Sequence, residues 1–211
     1  MNIEYYQELV NLYANCMEEI KVRERAIELI LTKKMNTGFD YTNIEFLCLQ
    51  FRKIFELIVL ANLVSNKEEY SHKRKGFASE WHAKRIVIEI EKINPLFYPI
   101  PAKQQIDYKT KKVKGVIYIK DGFLTKDELL EGYDKCSELL HAENPFGPPK
   151  NHIAYLPMFH IWLKRTLRLL EHHLITLVDE KKMFFVLMNN KDDDGRVQVA
   201  LVEISEYIKP A

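Results

Sequence analysis

Leu167-Arg168-Leu169-Leu170-Glu171-His172-His173-Leu174-Ile175-Thr176-Leu177-Val178 closes an apolar run that begins near Ile153, and its reading decides the fold. Phe159, Leu163, Leu167, Leu170, Leu174 and Leu177, with Trp162 beside them, recur at spacings of three and four, the period of one helix face. Pro157 is tolerated only in a first turn. The spacing therefore predicts one long helix from about Ile153 to Val178, with a true start near Tyr155. On it Arg165, Arg168 and His172 fall at i, i+3 and i+7, on one face, and His173 follows.

The rest of the chain is read outward from that helix. Residues 1–94 hold no proline and only two glycines, Gly38 and Gly76, which predicts an all-helical first half. Ile3, Tyr6, Val10, Tyr13, Met17, Ile20, Ile27 and Leu31 form a single stripe, broken only by Glu24. Such a stripe packs on a bundle, or lies at a dimer seam. A second helix, about Thr42 to Val64, is apolar nearly all round and is expected to be central. Lys67 to Lys75 reads as a charged connector. A third helix, Ala78 to Ile93, carries Trp81 and stops at Asn94-Pro95.

From Phe97 to Lys120 the period changes, and Val113, Val116, Ile117, Tyr118 and Ile119 favour strand. Thr125 with Glu128 is a capping box, opening a helix that ends at His141 before Asn144-Pro145. Met183–Met188 and Val197–Ile204 alternate as strands around the turn at Asp192-Asp193-Asp194-Gly195. The expected fold is mainly α: one domain over residues 1–211. Its helical core spans about 1–94 and 125–178, and two small β-hairpins lie at about 98–120 and 183–204.

Of the 211 residues, 47% are hydrophobic and 29% charged, the composition of a globular protein with a real core. Lys+Arg total 31 and Asp+Glu 30, so no global field draws the chain to nucleic acid or membrane. Cys16, Cys48 and Cys136 lack metal-ligand spacing and read as free thiols in a reducing compartment. The N-terminus lacks a signal-peptide pattern, and no apolar run reaches the roughly 20 residues of a membrane span. A cytoplasmic location is expected.

Two constellations are candidates for chemistry. Arg52 and Glu56 lie one turn apart on the apolar second helix and must pair with each other or with another polar group. His141, at a predicted helix C-terminus, and Asn144 are their expected companions; a histidine there can act as acid or base. The bland reading is a structural ion pair with a capping histidine. Arg165, Arg168 and His172 are the second set, and their bland reading is a solvated basic face. The aspartate turn lacks the alternate-position ligands and closing glutamate of a calcium loop, so neither metal nor cofactor is expected.

The Arg52/Glu56 helix and the helix end Leu139-Leu140-His141-Ala142-Glu143-Asn144-Pro145 resemble proteins of the HEPN superfamily (higher-eukaryote and prokaryote nucleotide-binding). The resemblance covers roughly residues 40–178. It implies a helical bundle, commonly a homodimer. It also implies RNA binding or metal-independent endoribonuclease activity in a toxin–antitoxin or phage-defence setting, with a cognate defence or antitoxin protein as partner. The family hallmark is an arginine followed four to six residues later by a histidine. Arg165 to His172 and Arg168 to His173 have that spacing, although Thr166 and Leu169 stand where the family prefers Asn, Asp or His. Non-catalytic members serve as binding or scaffold modules, and a non-enzymatic dimeric scaffold is the alternative reading.

Overall fold

A computed structural model describes residues 3–67, 82–107, 109–110, 113–148, 151–178, 181–190 and 194–203. Trp81, Asp192, Asp193 and most of the 67–75 connector lie outside these residues. The described helices are α1 (Ile3–Leu31), α2 (Asp40–Ser65), α3 (Ala83–Ile93), α4 (Lys126–Leu140) and α5 (Leu156–Leu170). A short 3-10 turn, His152–Tyr155, precedes α5. The strands are β1 (Ile100–Ile106), β2 (Val113–Tyr118), β3 (His172–Thr176), β4 (Lys182–Leu187) and β5 (Gln198–Glu203).

The expected helical bundle with two separate hairpins is overturned. Both hairpins form, but β3 joins them into one curled, five-stranded antiparallel sheet with the order β2-β1-β3-β4-β5. β3 is the stretch whose spacing reads as the end of a long helix. The helix stops at Leu170, and His172 to Thr176 then pair with Leu187 to Met183 of β4. All five residues of β3 are buried, on both faces of the sheet. A strand buried on both faces carries no polar alternation, so its apolar run matches a helix as well as a strand. Only Ile175 and Thr176, both β-branched, favour the strand.

The helices cover one face of the sheet. α1 spends its stripe inside the single chain: Tyr13, Met17, Ile20 and Ile27 are fully buried, packed chiefly on α2. These four residues face the interior of the chain. α2 is the central helix, with Phe51, Ile54, Phe55 and Ile58 buried between α1, α3 and α4. Phe51, Phe55, Phe159 and Trp162 gather at centroid separations of 5.5–5.9 Å and fasten α2 to α5. Gly132 lets α4 approach this cluster, because a Cβ there would lie 2.7 Å from Cε2 of Phe55. α4 begins as its capping box predicts: the Glu128 N–H donates to Thr125 Oγ1 at 3.3 Å, and the Thr125 N–H donates to Glu128 Oε2 at 3.0 Å.

One buried polar contact locks helices to sheet. The Asn94 amide, just past α3, donates to Asn66 Oδ1 at 2.9 Å and to the Thr176 carbonyl at 2.8 Å. It joins the ends of α2 and α3 to β3 at a buried point, where each orphaned group would cost about 1–3 kcal/mol. Among the described residues no helix is long and apolar enough to cross a membrane.

Candidate functional site

The first expected constellation holds in part, as a contact between Arg52 and Glu56. Arg52 projects from α2 toward α4. Its Nε donates to Glu56 Oε1 at 3.2 Å, one terminal nitrogen to Ser137 Oγ at 2.8 Å, and the other to the Tyr133 hydroxyl at 3.0 Å. The guanidinium also lies 4.7 Å from the centre of the Tyr133 ring. Lys53 reaches the same glutamate at 3.7 Å. Every direction of the Arg52 fork is thus occupied, and the node rivets α2 to α4. It is half-buried, with Arg52 33% and Glu56 18% exposed.

Among the described residues Asn144 does not join this node. Arg52 is held one turn earlier, by Tyr133 and Ser137. His141 sits exposed at the C-cap of α4. Asn144 shapes a turn: its Oδ1 accepts from the Phe146 N–H at 3.0 Å and its carbonyl from the Gly147 N–H at 2.9 Å.

The second constellation is taken apart. Arg165, Arg168 and His172 share no helix face, because α5 ends before the histidine. Arg165 forms an ion pair with Glu128 of α4. Arg168 Nε donates to the Asp121 carbonyl at 2.8 Å, with Asp121 Oδ1 3.6 Å from its terminal nitrogen. It lies over Gly122, whose φ of +75° and closeness to the guanidinium both favour glycine.

His172 and His173 point to opposite faces of the sheet. His173 is fully buried, with Nδ1 2.8 Å from the Leu170 carbonyl and Nε2 2.8 Å from the Tyr13 hydroxyl. A carbonyl can only accept, so Nδ1 carries the proton and Tyr13 donates to Nε2. Burial lowers His173 to about 4. His172 packs its ring edge-on against Phe185, 4.5 Å between centroids, and its Nε2 has no hydrogen-bond partner among the described residues. Burial lowers it, too, to about 4. Burial favours the neutral form of both imidazoles.

The cysteines are free thiols, Cys48 and Cys136 buried and Cys16 half-buried. Contact with Cys48, and then burial, pushes the Cys136 thiol far up. Among the described residues no three His, Cys, Asp or Glu side chains converge as metal ligands. Asp194 and Gly195 form a turn with positive φ, closed by the Gly195 N–H on the Asn190 carbonyl at 2.9 Å.

The residue that sequence reasoning passed over is Glu24, although it had marked itself as the one break in the α1 stripe. It is 7% exposed, and its Oε1 has no hydrogen-bond partner among the described residues. Burial, and secondarily Glu28, raise it to about 7 against the opposing pull of Lys21. It forms part of the wall of an open cleft of about 520 Å³ between α1, α5 and the end of β4. Leu163, Leu167 and Leu170 line the cleft, and Lys164 lies on it.

No protein-family model, no curated protein and no solved structure matches this chain.

Proposed function

We propose that the chain is a non-enzymatic interaction protein whose arginine clusters hold its fold. One observation carries this reading. Each arginine of the two constellations is tied to a structural partner, and the two histidines at the family spacing are buried and neutral. General acid–base catalysis at a phosphate needs an imidazole that exchanges protons near neutral pH and reaches the substrate. Neither β3 histidine meets that need.

The partner in this reading is a second copy of the chain, meeting at the corner between α1 and α2. Met35, Phe39 and Tyr41 are exposed there, with Phe39 and Tyr41 stacked at 5.8 Å. Met35 also lines a cleft with Ile153 and Leu156, which are exposed in turn. Clustered apolar side chains on a surface favour contact with protein.

Two measurements test the reading. Incubated with total RNA, the wild type and His172→Ala should both leave the RNA intact, with or without EDTA. Cleavage that disappears in His141→Ala, the variant at the exposed histidine, would restore the nuclease reading. Light scattering at micromolar concentration should give a dimer that Phe39→Ser with Tyr41→Ser converts to a monomer.

A further inference from the structure

The Glu24 cleft shares Arg168 with the arginine clusters, and what it presents goes beyond a scaffold. Buried carboxyl groups are normally hydrogen-bonded, because an unpartnered one loses its hydration for nothing in return. Glu24 Oε1 is itself closed off from solvent and lacks a partner among the described residues, and the side chain borders a cleft open to solvent. The arrangement suits a ligand that brings N–H donors. Leu163, Leu167 and Leu170 offer an apolar path outward from it. On the cleft lies Lys164, exposed and without a hydrogen bond or ion pair among the described residues. The volume, about 520 Å³, falls in the range of small-molecule sites, roughly 300–1,000 Å³.

We propose that this cleft binds a small zwitterion of the arginine type: a guanidinium or alkylammonium head on Glu24, an aliphatic stem along the leucines, and a carboxylate tail on Lys164. A charged donor on a carboxylate is among the stronger hydrogen-bond pairs. Arg168 is a weaker candidate for the tail because Asp121 already engages it.

Binding a cationic head requires Glu24 as the carboxylate, whereas burial holds it near neutrality until about pH 7. Binding therefore releases a proton, and affinity rises with pH until Glu24 is ionised. The other charged groups that bear on it are Lys21 and Glu28 from α1, His160, Lys164 and Arg168 from α5, and Glu171 just beyond α5. The Met188 and Asn189 wall has no titratable side chain.

Calorimetric titration of the whole chain with L-arginine and with agmatine, which lacks the carboxylate, tests the proposal. L-arginine should bind about tenfold more weakly at about pH 6 than at about pH 8. A His160→Gln variant should keep that profile, which assigns it to Glu24. Glu24→Gln should lose at least about tenfold in affinity while retaining its helical circular dichroism. Lys164→Ala should weaken L-arginine and leave agmatine unchanged. No binding of L-arginine at either pH, or equal binding by Glu24→Gln, would overturn the site. Should Glu24→Gln fail to fold, the wild-type profile decides alone, and a flat one refutes the proposal. These titrations are independent of the RNA and light-scattering results, so the two readings fail separately.

Discussion

Arg52 on α2 and Glu24 on α1 set the fold the same problem: each puts a charge on a helix that packs into the core. The fold answers them differently. Arg52 finds a carboxylate on its own helix and two hydroxyls on α4, and becomes a cross-tie. Glu24 finds leucines and an open cleft, and keeps an oxygen without a partner. A charge whose partners are all supplied by the protein stabilises structure, whereas one left wanting is available to a ligand.

The largest effect expected from breaking the comparison comes from the packing beneath the Arg52 node. Gly132→Val forces a branched side chain into Phe55, which separates α4 from α2 and should cost about 3 kcal/mol. Urea denaturation measures it. A neutral outcome would mean that α4 can withdraw from α2 without loss.

Glu24 sharpens the comparison through pH. Folded, it holds its proton to about 7, whereas the unfolded chain releases it in the ordinary carboxylate range. The native state is thus favoured below that range, and the advantage, about 3 kcal/mol, is lost as pH rises through 7. His172 and His173 act oppositely. Lowered to about 4, they contribute stability above the ordinary imidazole range, and it is lost as pH falls through 4. Wild type and Glu24→Gln share those histidines, so the difference between their stability–pH curves isolates Glu24. Parallel curves would mean that Glu24 ionises as an exposed carboxyl does.

A smaller effect belongs to Arg52 itself. Breaking a fully buried ion pair costs about 3–5 kcal/mol, but this node is partly solvated and a loss of about 1–2 kcal/mol is expected for Arg52→Ala. A double-mutant cycle with Ser137→Ala should return a coupling of about 1 kcal/mol. Additive losses would show that the two side chains do not cooperate. The smallest effect is expected at Lys164. Lys164→Ala should stay within about 0.5 kcal/mol of wild type, because the fold makes no demand on its ammonium group.

How legible each feature is follows from how local its cause is. The capping box of α4 was readable because Thr125 and Glu128 are three residues apart and solve each other's hydrogen bonds. The Arg52–Glu56 contact was readable because a helix turn brings the pair together. The hairpin strands were readable from their β-branched runs and turns. β3 was not, because neighbours on both of its faces removed the alternation that marks a strand. Its misreading also put Arg165, Arg168 and His172 on one false helix face. Glu24 was visible as a break in a stripe, but not as a site, since the cleft's other walls come from α5 and the end of β4.

By itself, then, the amino-acid order determined where α1, α2 and α4 lie, where α3 ends, how α4 is capped, and which charges needed partners. These depend on contacts within a turn or two of helix, where propensity and spacing act directly. Only the tertiary structure decided that His172 to Thr176 is a strand, that two hairpins make one sheet, and which charge was satisfied. Those outcomes depend on which surfaces meet across the chain, and burial against a distant neighbour outweighs a local period shared by helix and strand.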